Sequence, residues 1–133
     1  MEIGVDIVAL DRIRNAWTRY GAAFLNRFLT EDEVLYCLEK KDPVPCAAGR
    51  FAAKESLVKA LGTGISGPVH WKSFEILNDS RGKPVVRITS PELDRMVRFA
   101  RVSISHDRHS AVAMAIIESA VDDGGAVSGF RVP

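Results

Sequence analysis

A chain of 133 residues amounts to about one domain, long enough to bury a core without staples. Hydrophobic residues make up 47% and charged residues 26%, and the net charge is +1, so no global field recruits nucleic acid or an anionic membrane. The longest purely apolar run, 111–117, is seven residues, far short of a membrane span, and the start lacks a signal-peptide pattern, so a cytoplasmic protein is expected.

Residues 2–9 alternate, with Ile3, Val5 and Ile7 on one face and Gly4, Asp6 and Val8 on the other, which predicts a strand. Asp11 is placed to cap a first helix with the stripe Ile13, Ala16, Trp17 and Tyr20, ended by Gly21. Thr30 followed by Glu33 is a capping box that opens a second helix running to about Lys40. The prolines of 42–45 break the chain, and a third helix is expected from about Cys46 to Leu61, stopped by Gly62-Thr63-Gly64. Cys37 and Cys46 lack metal-ligand spacing and could form at most one pair; free thiols in a reducing compartment are the simpler expectation.

The runs 69–77 and 84–88, joined by 78–83, read as a hairpin. Ser90-Pro91-Glu92 opens a fourth helix whose buried stripe is Leu93, Met96, Val97 and Ala100. Two last strands, 102–106 and 111–118, flank a turn at 107–110. A single domain over 1–118 and a loosely held tail over 119–133 follow. The mixed order predicts an α+β fold, a small antiparallel sheet with packed helices.

Several polar residues sit where local rules disfavour them. Ala48, Phe51, Ala52 and Glu55 fall at i, i+3, i+4 and i+7, so a carboxylate shares an apolar stripe, with Lys59 one turn further on. A surface Glu55–Lys59 pair, worth roughly 0.2–0.5 kcal/mol, is the plain account. A sharper one is that a carboxylate on such a stripe needs a compensating cation, which leaves Lys59 for a phosphate. Asp6, in a strand between Val5 and Ile7, poses the same question; its plain account is a bond to a neighbouring backbone amide. Two carboxylates from separate elements suit magnesium, which takes one or two and completes its shell with water and phosphate. Together they point to metal-assisted phosphoryl transfer.

Other signals are weaker. His106 reads most simply as a structural residue, Gly62-Thr63-Gly64 as a helix cap and not a P-loop, and Arg81 and Lys83 as solvated. Arg12, Arg14, Arg19 and Arg27 occur with no acid anywhere from 12 to 30, which suggests an acidic partner or an anionic ligand, if not simply a solvated face.

Gly4-Val5-Asp6, then 44 residues, then Phe51-Ala52-Ala53-Lys54-Glu55-Ser56 and Lys59-Ala60, resembles the signature of the holo-acyl-carrier-protein synthase family, the short bacterial 4′-phosphopantetheinyl transferases. Gly49-Arg50, Gly62-Thr63-Gly64, Gly82-Lys83-Pro84 and Ser103-Ile104-Ser105-His106 extend the match. The resemblance implies the 4′-phosphopantetheinyl transferase fold and transfer of 4′-phosphopantetheine from coenzyme A to a serine of apo-acyl carrier protein, with Mg2+ and release of adenosine 3′,5′-bisphosphate. It implies Asp6 and Glu55 as metal ligands and Lys59 on the leaving phosphate. Arg50, Gly82, Lys83, Pro84 and His106 would then line the coenzyme A site, and Arg12 and Arg14 would dock the carrier protein. A homotrimer with sites at subunit boundaries is also implied. Glu55 or a metal-bound water could take the serine proton. A non-catalytic coenzyme A or nucleotide-binding module would not need both carboxylates. A metal-dependent phosphoesterase would want more ligands.

Overall fold

A computed structural model describes residues 1–62, 64, 67 and 69–120. The chain runs β1 (Glu2–Ala9), α1 (Leu10–Tyr20), α2 (Ala22–Phe28), α3 (Glu31–Leu38) and α4 (Val44–Leu61). A 3-10 turn (Trp71–Ser73) then leads to β2 (Phe74–Asn78), β3 (Pro84–Ile88), α5 (Pro91–Met96), β4 (Val97–His106) and β5 (Ser110–Ser119). Antiparallel pairing gives a three-stranded sheet in the order β1-β5-β4 and a separate β2-β3 hairpin. This is the α+β arrangement expected. Among the described residues no helix is long and apolar enough to cross a membrane.

Helix α4 lies across all three strands of the larger sheet, with α1 and α3 also against it. Its many alanines explain how it can be surrounded: Ala47, Ala48, Ala52, Ala53 and Ala60 are all essentially inaccessible. The β1 face turned to α4 is the one carrying Gly4, Asp6 and Val8. Gly4 is required there, because a Cβ at that position would lie 1.9 Å from the Ser56 carbonyl oxygen and 2.8 Å from the Ala60 nitrogen. The opposite face points outward, and Ile3, Val5 and Ile7 are 65%, 56% and 67% exposed beside Val112 and Met114 of β5.

Several boundaries differ from expectation. Asp11 does not cap α1: the helix begins at Leu10, no side chain caps it, and Asp11 stands within its first turn. Gly21 ends α1 at φ 61, and α2, which has no strong sequence signal of its own, follows at once. The Thr30–Glu33 capping box is present, but α3 stops at Leu38. Helix α4 starts at Val44 because Pro45 fits its first turn, where no amide donor is needed. The stripe 93–100 divides: Leu93 and Met96 belong to α5, while Val97 and Ala100 lie in β4 and pair towards β5 across a bulge between Val97 and Phe99. Cys37 and Cys46 are not free thiols here but bonded to each other, joining α3 to α4. Of the tail, Ser119 closes β5 and the Ala120 amide donates to the Met96 carbonyl; 121–133 lie outside the described residues.

One buried polar network ties these layers together. The Glu33 carboxylate accepts from the Thr30 and Ile76 amides at 2.8 and 2.7 Å and from the Lys54 ammonium. Lys54 also donates to the Phe28 carbonyl at 2.7 Å. Both side chains are fully buried, and both carboxylate oxygens and the ammonium nitrogen have hydrogen-bond partners. Thr30 in turn donates to Glu75, which Arg87 also holds. Burial works to raise the Glu75 pKa, but the bonds from Thr30 and Arg87 outweigh it and the net shift is downward.

Candidate active site

The two expected metal ligands come from the adjoining elements β1 and α4, Asp6 on the strand and Glu55 on the helix. Lys59 Nζ donates to Asp6 Oδ1 at 2.9 Å and to the Val5 carbonyl at 3.2 Å. Glu55 precedes Lys59 by one helical turn and accepts from the Trp71 indole at 3.2 Å on Oε2. Lys59 thus turns to the strand acid, not back to Glu55 as a surface pair. Its side chain remains 57% exposed, whereas that of Asp6 is only 15% exposed.

A second group lies in a cleft of about 460 Å³ at the other end of α4. Arg50, Gly82, Pro84 and His106 all line it, as the resemblance implies. Lys83 is not among the lining residues; its amide donates to Asp79 Oδ1, as does that of Arg81, which shapes the β2–β3 turn. Arg50 is 5% exposed and donates to Asn78 Oδ1 at 2.6 Å and to Cys46 Sγ at 3.3 Å. Its Nε is buried without a hydrogen-bond partner. Burial lowers the guanidinium pKa, opposed by the Glu33 charge, but an arginine keeps its proton regardless. His106 is exposed, with Nδ1 3.4 Å from the Asp107 carbonyl oxygen.

Helix α4 stands between the two groups. Asp6, Ala113 and Ile104 form one row across β1, β5 and β4, so their backbones span two strand spacings, about 9.5 Å. Asp6 is on the flank reached by Lys59, and Ile104 is on the flank that lines the cleft. Arg50 and Glu55, five residues apart, point roughly 140° apart around the helix axis. Within one chain the cleft and the carboxylates therefore occupy different sides of the same wall.

The two α1 arginines also diverge. Arg12 stacks over the Phe51 ring at 5.5 Å, on the helix face that carries Glu55 one turn later. Arg14 makes a two-pronged pair with Asp42, at 2.8 and 3.3 Å, and both are about half exposed. That hydrogen bond from Arg14, with a second from the Val44 amide, holds the Asp42 carboxyl below its ordinary range. Arg14 and Asp42 border a shallow groove with Arg108 and His109 of the β4–β5 turn.

Trp71, Tyr36, Lys40 and Asn78 join these sites without having been singled out by sequence. Asn78 opens a polar hairpin loop and looks like turn chemistry there. The only signal for Trp71 was a large aromatic beside a loop.

Residues 2–117 match the model of the 4′-phosphopantetheinyl transferase superfamily. The chain is 76% identical over 117 residues to the holo-[acyl-carrier-protein] synthase of Chlorobium limicola, covering 88% of this chain and 93% of that one. Its fold is similar to that of the holo-[acyl-carrier-protein] synthase of Neisseria meningitidis, with TM-score 0.80, 36% identity and 88% and 97% of the two chains covered. The Helicobacter pylori holo-[acyl-carrier-protein] synthase, solved in complex with coenzyme A, gives TM-score 0.78 and 32% identity over 87% of this chain and 99% of that one.

Proposed function

Because the chain belongs to the 4′-phosphopantetheinyl transferase superfamily, among its holo-[acyl-carrier-protein] synthases, we propose that it transfers 4′-phosphopantetheine from coenzyme A to a serine of apo-acyl carrier protein and releases adenosine 3′,5′-bisphosphate. The observation that carries the catalytic assignment is the convergence of Asp6 and Lys59 one turn from Glu55. Such a transfer asks the protein mainly to position two oxygens and neutralise charge.

The carboxylates fit magnesium. They are hard oxygen donors on two rigid elements, and among the described residues no cluster of three or more Asp, Glu, His or Cys could hold an ion unaided. Two carboxylates with substrate phosphate completing the shell are what magnesium favours, and Asp6 and Glu55 would hold it. When bound it would supply charge neutralisation at the diphosphate. Lys59, half in solvent, is free to leave Asp6 for a phosphate oxygen as charge builds there. Glu55, which accepts from the Trp71 indole, or a metal-bound water would receive the serine proton. Arg50 and His106 grip coenzyme A in the cleft, with Gly82 and Pro84 walling it; Lys83 stands between those two in the chain but does not line the cleft itself. Arg12 and Arg14 face the acidic surface of the carrier protein.

The wall formed by α4 supports a homotrimer in which one protomer's cleft meets the next protomer's carboxylates. The outward apolar row of Ile3, Val5, Ile7, Val112 and Met114 is a surface that such an assembly would cover. Sedimentation as a monomer at working concentration would overturn the trimer. The same reading puts the enzyme in the cytoplasm, where reducing conditions would open the Cys37–Cys46 bond.

Incubation of apo-acyl carrier protein with the chain, coenzyme A and magnesium tests the function. The carrier protein gains the mass of one 4′-phosphopantetheine, and adenosine 3′,5′-bisphosphate appears in equal amount. A carrier protein of unchanged mass overturns the proposal.

A further inference from the structure

We propose that Tyr36 is a positioning residue, whose ring holds the Arg50 guanidinium in place to receive an anionic group of coenzyme A. The inference rests on the reading that the cleft takes coenzyme A. Tyr36 is half-buried on α3 and lines the cleft. Arg50 Cζ lies 4.6 Å from the centre of its ring, and Lys40 Nζ lies at the same distance. One ring thus carries two cations, both on the cleft wall.

Arg50 is an unusual buried cation because none of the groups that touch it is an acid. Its neighbours are the Asn78 amide oxygen, the Cys46 sulfur and the Tyr36 ring, and its Nε has no acceptor. Glu33 acts on it only at a distance and is bonded directly to Lys54. A desolvated guanidinium without an anion is costly, so an anionic ligand supplies what the protein withholds. The electron-rich face of Tyr36 offsets part of that cost before the ligand arrives, and it fixes the plane of the fork. The other restraints are themselves held. Asn78 Nδ2 donates to the Gly82 carbonyl at 2.7 Å, and Cys46 lies one helical turn before Arg50 on α4. Two like charges on one ring also repel, and a phosphate between them removes the repulsion.

The test is coenzyme A binding by calorimetry to the full chain, with Tyr36→Leu and Tyr36→Phe made alone and on an Arg50→Met background. Removing the ring in Tyr36→Leu weakens binding about fivefold to thirtyfold, the range of a desolvated cation–ring contact. Tyr36→Phe keeps the ring and stays within about twofold of the parent. On the Arg50→Met background Tyr36→Leu has no further effect, because its action runs through the missing guanidinium. Tyr36→Gln, a second variant without a ring, behaves as Tyr36→Leu does and guards against a folding defect peculiar to one substitution. Additive losses on the two backgrounds, or a Phe variant as weak as the Leu variant, overturn the positioning role. A wild-type chain that binds no coenzyme A overturns the parent reading, and this one with it.

Discussion

The ammonium of Lys59 on α4 sits 2.9 Å from the carboxylate of Asp6 on β1, joining residues 53 positions apart one helical turn beyond Glu55. An exposed lysine beside a mostly buried acid is a movable counter-charge. It screens Asp6 in the resting protein, and in the proposed transfer it would swing to a substrate phosphate.

Replacing Lys59 with methionine keeps the stem and removes the charge. The transfer rate falls about a hundredfold to a thousandfold, the usual loss on deleting one preorganised stabiliser of developing charge. Single-turnover kinetics on apo-carrier protein measure it, and circular dichroism confirms that the fold is kept. A rate within a factor of a few of the parent removes Lys59 from the mechanism.

Gly4 sets how closely β1 approaches α4. In Gly4→Ala the new methyl meets the Ser56 carbonyl oxygen at 1.9 Å, a backbone atom that cannot step aside cheaply. Stability in urea drops by about 1–3 kcal/mol, and activity drops with it because Asp6 on β1 is carried away from Lys59 on α4. An unchanged urea midpoint and rate would mean that the seam is looser than described.

Lys54 and Glu33 form the buried pair behind the motif. Lys54→Met leaves a carboxylate fully enclosed and uncompensated, at a cost of about 3–5 kcal/mol by urea denaturation. Adding Glu33→Gln removes the stranded charge but keeps an acceptor oxygen for only one of the Thr30 and Ile76 amides, so it restores part of the loss. If the double variant is no more stable than Lys54→Met, the penalty is not the unpaired charge.

Arg14 serves the fold and, in this account, the partner. Arg14→Glu raises the KM for carrier protein with little change for coenzyme A; equal weakening of both argues against docking. Its pair with Asp42 also carries a pH signature. The Asp42 carboxyl is held below its ordinary value, so the folded protein binds fewer protons than the unfolded chain as that group titrates. The pair's contribution is therefore complete above about pH 4 and lost as pH falls through the lowered folded value. Arg14→Met melts below the wild type at neutral pH, and the gap closes as pH falls through the lowered Asp42 value. A gap that persists in acid would assign it to packing.

The candidate site was legible where chemistry contradicted its setting. Asp6 within a strand and Glu55 on an apolar stripe both announced themselves, and the Thr30–Glu33 box marked its helix start. Periodicity was silent where two periods agree. Leu93, Met96, Val97 and Ala100 satisfy helical spacing, yet pairing with β5 takes Val97 and Ala100 into β4. Residues whose role depends on tertiary neighbours were invisible. The complete burial of Lys54 needs Glu33 and the Phe28 carbonyl, and Tyr36 acquires its part only when α3 packs against Arg50. The Cys37–Cys46 spacing of nine residues says nothing about whether two helices will bring the sulfurs together.

The central claim, that Asp6 and Glu55 share one cation, is most directly tested by manganese binding in the presence of coenzyme A, followed by the loss of the free-ion electron paramagnetic resonance signal. Wild-type protein takes up the ion, and Asp6→Asn and Glu55→Gln each abolish uptake while remaining folded. Full uptake by either single variant would contradict the claim.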